Sequence, residues 1–302
     1  MGNCSAVTAP IVIEGEKGQE PEILEHELYF WDVNSIIGSG EVSIVYKGST
    51  RRTLQKVAVK RTPANKLTKR VINRLYTEAS ILTTIKKIPH SCRMFVQLKD
   101  GFIDSTGGIC IVTEFIEGYD LRGLIKNQYP TGVPIPIVKQ YFAEILNTLQ
   151  VLHRYDIAHL DLKLENIMYD QSHSSLKFID FGFACKTAKF NHETKTKTNI
   201  LIEHYRGSRH YLAPEIIRRT PFDGKKADIW AVGVILFALC FTRYPFNGAT
   251  REELFDNIKN NRIAFPSNIS PVLEDLFECM LHPLPWERSS PSILLEHPWF
   301  SM

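Results

Sequence analysis

The character of the sequence changes near residue 116, and this change constrains the fold of the 302-residue chain more than any other feature. Residues 29–60 favour β-branched and aromatic side chains interrupted by glycines, which predicts antiparallel strands. Helical spacing predicts a helix over 67–87, and an apolar run predicts a buried strand over 109–113. After Pro136 the pattern is mostly helical, most clearly over 138–155, 225–241 and 251–259. This order predicts an α+β protein with two lobes.

The first 28 residues differ in charge from the rest of the chain. They contain six glutamates and one lysine, a net charge of −5, whereas the whole chain has a formal charge of +3. The asymmetry predicts that residues 1–28 form a disordered acidic tail in front of a domain over 29–300. The start, Met1-Gly2-Asn3-Cys4-Ser5, resembles an N-myristoylation site, and palmitoylation of Cys4 would add the second signal that stable membrane attachment needs. An unmodified terminus is the alternative.

Composition limits the remaining function classes. The small net charge does not point to nucleic acid, and no nucleic-acid partner is expected. Six scattered cysteines without metal-ligand spacing, and the lack of a signal-peptide pattern, predict a cytoplasmic protein with reduced thiols. Such a protein is associated with membranes only if Gly2 and Cys4 are acylated. A monomer is the default expectation.

Two patterns in the first lobe suit anionic ligands. Gly38-Ser39-Gly40 lies between predicted strands, where the absence of side chains lets backbone amides approach phosphate, although any hairpin turn could have this sequence. Lys60 ends an apolar strand, Val57-Ala58-Val59-Lys60, and a lysine there needs an anion. Glu78 on the following helix is a suitable partner, and a surface lysine is the alternative.

Two patterns in the second lobe carry the strongest chemical signal. His159-Leu160-Asp161-Leu162-Lys163-Leu164-Glu165-Asn166 places four functional side chains among apolar ones. Asp161 can accept a hydroxyl proton, Lys163 can neutralise a moving phosphoryl group, and Asn166 can bind a cation. Asp180-Phe181-Gly182 follows a β-like segment over 176–179, and an aspartate at such a turn suits magnesium, which prefers oxygen ligands.

Taken in order, these motifs resemble the eukaryotic protein kinase family over residues 29–300. Ala213-Pro214-Glu215, Asp228 and Arg288 extend the resemblance. It implies the two-lobed protein kinase fold, with a small antiparallel β-sheet lobe plus one helix over 29–116 and a mainly helical lobe over 117–300. It also implies transfer of the γ-phosphate of ATP to serine or threonine hydroxyls of protein substrates, with two Mg²⁺ ions.

The resemblance implies a nucleotide site in which Gly38 and Gly40 cover the phosphates. Lys60 binds the α- and β-phosphates and pairs with Glu78. The complete set of implied nucleotide contacts is Ile37, Gly38, Ser39, Gly40, Val45, Ala58, Lys60, Glu78, Thr113, Glu114, Ile116, Asp120 and Met168.

Within this set, Val45, Ala58 and Met168 would sandwich the adenine. Main-chain groups of Glu114 and Ile116 would hydrogen-bond it.

Thr113 would be the gatekeeper side chain, and Asp120 would meet the ribose. In the second lobe the resemblance implies a buried ion pair between Glu215 and Arg288.

For the reaction itself, the resemblance makes Asp161 the catalytic base and lets Lys163 contact the γ-phosphate. Asn166 and Asp180 would hold the two magnesium ions. A lysine two places after the base resembles serine/threonine kinases. The stretch 228–246 and the terminal His297-Pro298-Trp299-Phe300 resemble the calmodulin-dependent and AMP-activated kinase group.

The chain departs from the family pattern at a few positions. Ser43 replaces the third glycine of the loop, which puts the flexibility of that loop in doubt. Leu160 replaces the arginine that grips a phosphorylated activation loop, so activity is expected to depend less on loop phosphorylation. Glu165 is retained but Ala238 replaces a second glutamate of basophilic kinases, so basic-peptide specificity is weakly supported.

Two other readings remain open from the sequence. A pseudokinase scaffold would bind nucleotide with little turnover, and only Ser43 and Leu160 favour it. A small-molecule kinase on the same fold is the third reading, against which the segment 213–215 argues because it normally builds the peptide-binding shelf.

Overall fold

The computed structural model describes residues 23–130, 132–191, 195–203 and 207–302. The predicted acylation site at Gly2 and Cys4 therefore lies outside the described residues. The chain divides into two compact units. The first comprises the residues up to Ala79 together with Val96–Ile116, and the second comprises Ser80–Phe95 together with Glu117–Met302.

The first unit contains a six-stranded antiparallel sheet with the strand order β1-β2-β3-β4-β6-β5. Its strands are β1 (Ile23–Glu25), β2 (Tyr29–Ser39), β3 (Ile44–Thr50), β4 (Lys56–Thr62), β5 (Leu98–Ile103) and β6 (Ile109–Glu114). Helix α1 (Lys69–Lys86) follows β4. Strand β1 lies inside the predicted disordered tail, where it pairs with β2 and forms one edge of the sheet.

One face of this sheet is an apolar core. Val57 and Val59 alternate along β4 with less buried neighbours, and they pack with Trp31, Cys110 and Val112. The period of two explains the strand, because successive side chains point to opposite faces. Burial raises the pKa of the Cys110 thiol to about 12, with the Asp104 carboxylate adding to the effect.

The second unit is mainly helical. Its helices are α2 (Leu121–Gln128), α3 (Ile135–Arg154), α4 (Pro214–Ile217), α5 (Gly224–Phe241), α6 (Arg251–Lys259), α7 (Pro271–Glu278) and α8 (Pro291–Leu295). Its short strands are β7 (Gly118–Asp120), β8 (Ile157–Ala158), β9 (Ile167–Asp170), β10 (Ser175–Phe178), β11 (Cys185–Lys186), β12 (Ala188–Asn191) and β13 (Thr196–Asn199). Single 3₁₀ turns in the described chain cover Ala64–Lys66, Ser91–Arg93, Leu164–Asn166, Arg209–Tyr211, Pro285–Glu287 and Pro298–Phe300.

Helix α5 is the centre of the second unit. It is apolar around its whole circumference and is buried along most of its length, as expected of a helix enclosed by protein. The Asp223 side chain accepts a hydrogen bond from the Lys225 N–H at its start, and Thr242 ends it in a left-handed conformation. The amphipathic helix α3 packs against α5 and α8.

The α+β prediction is confirmed. Helix α6 has the predicted bounds, and α1 lies within the predicted 67–87. Helix α3 begins three residues before the predicted 138, because Pro136 lies in its first turn, where proline costs no hydrogen bond. Ser80–Phe95 clusters with the second unit, partly because Phe95 packs there on Phe178 and Phe181. Among the described residues, the helices are all too short or too polar to cross a bilayer.

Candidate active site

The strand register of the first unit places several predicted nucleotide contacts on one face of the sheet. Gly38 is opposite Val45, and Val45 is opposite Lys60. Ala58 is opposite Thr113 and lies two residues from Lys60, which puts it on the same face. This face is the reverse of the one that carries Val57 and Val59. The structure therefore brings Gly38, Val45, Ala58, Lys60 and Thr113 together.

The glycine loop is a tight hairpin between β2 and β3. The Gly40 N–H donates to the Ser43 carbonyl oxygen over 2.8 Å, and the Ser43 hydroxyl bonds to the buried Thr62 hydroxyl over 2.6 Å. A Cβ built on Gly38 or Gly40 would meet nothing closer than 3.7 Å or 3.6 Å, respectively. Packing inside the chain thus does not require glycine here. The space fits the close approach of a phosphate group. Ile37 and Ser39, beside Gly38, are exposed.

Lys60 and Glu78 form an ion pair of 2.8 Å between Nζ and Oε1. The Glu78 carboxylate is nearly completely buried, whereas the Lys60 side chain keeps about a fifth of its surface exposed. A lysine fixed on a strand by a buried carboxylate can present its charge at one place on the sheet.

The end of β6 carries the remaining predicted contacts of the first unit. The Glu114 N–H donates to the Gln97 carbonyl oxygen over 2.9 Å, so a main-chain contact of Glu114 with a base would use its carbonyl oxygen. Ile116 is buried at the last position of this unit.

In the second unit, Asp161 is a buried carboxylate surrounded by hydrogen-bond donors. Lys163 Nζ donates to its Oδ2 over 2.7 Å, and the Ser208 hydroxyl donates to its Oδ1 over 3.0 Å. The Asn166 amide nitrogen donates both to the Asp161 carbonyl oxygen and to its Oδ2, over 2.8 Å and 3.0 Å. Lys163 also donates to the Ser208 hydroxyl over 3.1 Å.

Asn166 and Asp180 fit a hard cation. Since the amide nitrogen of Asn166 serves two oxygens of Asp161, its amide oxygen is the atom left for a metal ion. The Ile179 N–H donates to the Asn166 carbonyl oxygen over 2.9 Å. Because Asp180 directly follows Ile179, this bond keeps its backbone close to Asn166. Amide and carboxylate oxygens are the ligands that Mg²⁺ prefers.

Aromatic packing and a turn fix the direction of Asp180. Its backbone is left-handed, with φ of 55°, and its Oδ1 accepts from the Gly182 N–H over 3.2 Å. The buried Phe181 ring lies 4.9 Å from the His159 ring and 6.1 Å from the Phe95 ring, measured between centroids. His159 in turn bonds through Nε2 to the Ile179 carbonyl oxygen. The segments 159–166 and 179–182 are thereby packed against each other.

Asp120 and Met168 are opposite each other in the pairing of β7 with β9. The Asp120 carboxylate accepts from the Gly123 N–H over 2.7 Å and so caps helix α2. One oxygen of Asp120 is therefore engaged by the Gly123 N–H, in addition to the ribose contact that the resemblance implies for this residue.

The carboxylate of Asp228 on α5 holds the backbone of the loop just before Asp161 by hydrogen bonds. Its Oδ1 accepts from the Leu160 N–H, and its Oδ2 accepts from the His159 N–H and bonds to His153 Nε2, each over 2.9 Å. This arrangement was not predicted. Asp228 was recognised only as part of a motif, and nothing in the sequence identifies its partners.

Comparison with known proteins gives the same family as these motifs. Residues 31–300 match the model of the protein kinase domain. The chain belongs to the protein kinase family. The resemblance to its serine/threonine members, including the calmodulin-dependent and AMP-activated group, is confirmed, as is the two-lobed kinase fold.

Three relatives illustrate the match. The serine/threonine-protein kinase ULK3 of Rattus norvegicus is 32% identical over 271 residues, which cover 88% of this chain and 54% of that protein. The CBL-interacting protein kinase 10 of Oryza sativa subsp. japonica is 29% identical over 276 residues, 89% of this chain and 56% of that protein. The SNF-related serine/threonine-protein kinase of Homo sapiens is 29% identical over 269 residues, 89% of this chain and 33% of that protein. The kinase chain thus spans about half or less of the length of these curated relatives.

The kinase departs from its family at Leu160, and the structure shows what replaces the arginine. Leu160 is buried with a left-handed backbone, φ 63°. A Cβ built on Gly224 would approach Ile202, Ala158 and Leu160 within 2.5–3.4 Å, so these apolar groups crowd together against the start of α5. At this position the family pattern has an arginine that binds a phosphate, whereas this chain has a leucine in an apolar contact.

The segment after Asp180 is attached to the body of the kinase through Asp156. Lys197 on β13 and Lys225 on α5 donate to the two oxygens of the Asp156 carboxylate over 2.6 Å and 2.8 Å. The Thr187 N–H donates to the Asp156 carbonyl oxygen over 2.8 Å. Burial alone would raise the pKa of the Asp156 carboxyl, but the hydrogen bonds from Lys197 and Lys225 outweigh it and lower that pKa.

A cluster of possible metal ligands away from this site is better explained by hydrogen bonding. The ligand atoms of Asp275, Cys279 and His297 lie within 4.8 Å of one another. His297 Nδ1 accepts from the Trp299 N–H, so its Nε2 carries the proton and donates to Asp275 over 3.0 Å. A metal ion at Nε2 would require the ring proton to move to Nδ1 and so break the hydrogen bond from the Trp299 N–H; the contacts present are those of a helix-capping histidine.

Proposed function

We propose that this kinase transfers the γ-phosphate of ATP to serine or threonine hydroxyls of protein substrates. The observation that carries the proposal is the buried Asp161 carboxylate, held by Lys163, Ser208 and Asn166. A carboxylate whose two oxygens are held by three donors can present its remaining lone pairs to an incoming hydroxyl. The relatives named as serine/threonine-protein kinases support the choice of reaction.

Asp161 orients the acceptor hydroxyl and takes its proton as the hydroxyl oxygen bonds to the γ-phosphorus. The bond from the γ-phosphorus to the oxygen that bridges it to the β-phosphate breaks, and ADP leaves. Lys163 lies beside it and neutralises the negative charge that spreads over the transferred group. Such reactions are accelerated mainly by positioning and electrostatic stabilisation, with little covalent chemistry by the protein. Lys60, fixed by Glu78 in the first unit, binds the α- and β-phosphates, and the hairpin 37–40 covers them.

Asn166 and Asp180 hold magnesium, which when bound neutralises phosphate charge. The oxygen donors described above support this assignment.

We also propose that activity does not require phosphorylation of the segment 185–203. The apolar packing of Leu160 and the ion pairs of Asp156 support this, because they position the segment without a phosphate. Of the threonines that this segment contains or borders, Thr187 is buried and Thr196 and Thr198 are exposed, whereas Thr194 lies outside the described residues.

An assay of phosphate transfer from labelled ATP tests the proposal, with one basic and one acidic generic protein as acceptors. Wild type is compared with Asp180→Ala and with Asp161→Asn, and mass spectrometry records loop phosphorylation in the same sample. We expect turnover in the wild type with an unmodified loop, and a loss of about 10²-fold or more in each variant. Turnover only after loop phosphorylation would contradict the role given to Leu160.

The same samples distinguish the pseudokinase reading. Mg-ATP binding is followed by thermal shift. Binding without turnover above that of Asp180→Ala, with both acceptors, would exclude the proposed catalysis and leave a nucleotide-binding scaffold.

Location is a separate proposal, namely a cytoplasmic monomer that attaches to membranes through acylated Gly2 and Cys4. Metabolic labelling with myristate, compared between wild type and Gly2→Ala, tests it. A wild type without label would contradict acylation.

A further inference from the structure

Glu165 lies in the same loop as Asp161 and is paired with an arginine of its own chain. Arg122 Nη1 donates to Glu165 Oε1 over 2.5 Å. Arg122 is the second residue of α2, and Glu165 is in the 3₁₀ turn Leu164–Asn166. Glu165 Oε2 is buried and has no hydrogen-bond partner among the described residues. The carboxylate is therefore neutralised at one oxygen and closed to solvent at the other.

The 3₁₀ turn Arg209–Tyr211 lies beside this pair. The Leu164 N–H donates to the Tyr211 hydroxyl, which joins the two turns. The His210 ring packs edge-on against Tyr244, with 4.3 Å between centroids. Arg209 is exposed and directly follows Ser208, the residue whose hydroxyl bonds to Asp161. Arg209 and the Arg122–Glu165 pair are therefore each linked to the loop of Asp161, to which a peptide would bring its hydroxyl.

The charges of this surface, formed by Arg122, Glu165, Arg209 and His210, do not balance. Two arginines stand against one carboxylate. Burial lowers the pKa of His210, and the charges of Arg209 and Arg122 lower it further, whereas the Glu165 carboxylate opposes them. Among these four residues the one carboxylate is already paired with Arg122, so an additional positive charge from a substrate would meet two arginines without a free carboxylate of this surface to receive it.

We propose that Arg122 occupies the acidic site of Glu165 in place of a substrate arginine, so that this kinase selects acidic residues next to the acceptor hydroxyl. Arg122 and Arg209 are the specificity-determining residues, and the ligand class is a peptide with glutamate, aspartate or phosphate near the acceptor. The inference rests on the proposed function and extends it to substrate choice.

The pair is also suited to an experimental exchange of specificity. The Arg122 side chain is about 63% exposed, and an ion pair so accessible to water contributes little to folding. Removing Arg122 should therefore leave the fold intact and return an unpaired Glu165 to the surface. A substrate arginine could then take its place.

Three peptides test the proposal, each with one serine flanked by alanines, by glutamates or by arginines. For the wild type we expect kcat/KM highest with the glutamate peptide and lowest with the arginine peptide. In Arg122→Ala the kcat/KM of the arginine peptide divided by that of the glutamate peptide should rise about three- to tenfold. The change should lie in KM, as expected for charges near a surface. The double variant Arg122→Ala/Glu165→Ala should lose the gain with the arginine peptide.

Arg262→Ala is the matched control. Arg262 is as exposed as Arg122 and pairs with Asp256 elsewhere in the same unit. The Arg262→Ala variant removes the same charge, and the ratio of kcat/KM between the arginine and glutamate peptides should not change. A wild type that prefers the arginine peptide, or an Arg122→Ala variant with the wild-type ratio, would overturn the proposal.

A binding measurement separates this inference from the proposed reaction. The same peptides with alanine in place of serine are titrated against wild type and Arg122→Ala in the presence of Mg-ADP, and fluorescence anisotropy gives Kd. The glutamate peptide should bind the wild type most tightly even if turnover fails. Equal Kd values for all three peptides would contradict the charge selection, whatever the result of the kinase assay.

Discussion

At the scale of single residues, Ser43 shows how a departure from the family pattern is accommodated. Its position in the sequence suggests only a less flexible loop. In the structure its hydroxyl bonds to Thr62, whose side chain is completely buried. A glycine could not make this bond, so the glycine loop is attached here to strand β4. The partner could not be predicted, because a hydroxyl pair separated by 19 residues leaves no pattern in the sequence.

Removing one member of the pair should therefore be costly. Ser43→Ala leaves the buried Thr62 hydroxyl without a partner, and we expect a loss of about 1–3 kcal/mol in the free energy of unfolding. Urea unfolding, followed by circular dichroism, measures it. The double variant Ser43→Ala/Thr62→Val should recover most of the loss, since neither hydroxyl then remains. A double variant as unstable as the single one would show that the hydrogen bond is not the cause.

Leu160 gives a second prediction at this scale. Restoring the family arginine with Leu160→Arg would place a charge among Ile202, Ala158 and Gly224. We expect a loss of about 2 kcal/mol or more in unfolding free energy. Leu160→Met keeps the volume and should cost less than about 1.5 kcal/mol. Thermal unfolding of both variants compares them, and equal stabilities would contradict the apolar contact.

At the scale of elements, Asp156 links the loop after α3 to strand β13 and helix α5. The sequence predicts the helix. From the sequence alone, the lysines of the segment 185–203 could form either a solvated face or a phosphate site. Lys197 instead contacts the carboxylate of Asp156, which lies 41 positions earlier in the sequence. Long-range ion pairs of this kind follow from the path of the chain, and local periodicity does not contain them.

Asp156→Asn should release the segment. The amide cannot hold two lysines as a carboxylate does, so residues 185–200 should become more accessible to protease. Limited proteolysis with mass spectrometry measures the rate of cleavage there. Asp256→Asn, which removes an exposed pairing with Lys259, is the control and should leave the rate unchanged. Equal cleavage rates in Asp156→Asn and wild type would exclude Asp156 as the attachment point.

Acid should have the same effect as this substitution. The pKa of Asp156 is lower in the folded chain than in the unfolded one, so its contribution to stability is complete above the unfolded value of about 3.9 and is lost as the pH falls through the folded value. We expect segment cleavage by an acid-stable protease to rise below about pH 4 in the wild type. Asp156→Asn should be cleaved rapidly already at pH 5–7. A pH profile identical in both proteins would contradict this linkage.

At the scale of the whole molecule, a buried ion pair joins distant parts of the second unit. Arg288 donates to both oxygens of Glu215 over 2.7 Å and 2.8 Å, and its guanidinium lies 4.9 Å from the centre of the Trp230 ring. This pair follows from the family resemblance, because both residues belong to motifs. The Arg122–Glu165 pair and the contacts of Asp228 do not follow from it, because no motif in the sequence identifies their partners.

Breaking the pair should destabilise the protein strongly. Glu215→Ala leaves Arg288 buried without a counter-charge, and we expect a loss of about 3–5 kcal/mol in unfolding free energy. Arg288→Met/Glu215→Leu removes both charges and should be markedly more stable than the single variant. Chemical denaturation measures both. A double variant no more stable than Glu215→Ala would locate the cost in packing and not in the unpaired charge.

The contact of Asp228 with the loop has a further consequence. One carboxylate on the most enclosed helix of the molecule receives the main-chain amides of His159 and Leu160, immediately before Asp161. The position of the carboxylate that we propose as the catalytic base is thus set by the packing of an interior helix. Substitutions deep in α5 that tilt this helix should therefore slow phosphate transfer more than they weaken nucleotide binding.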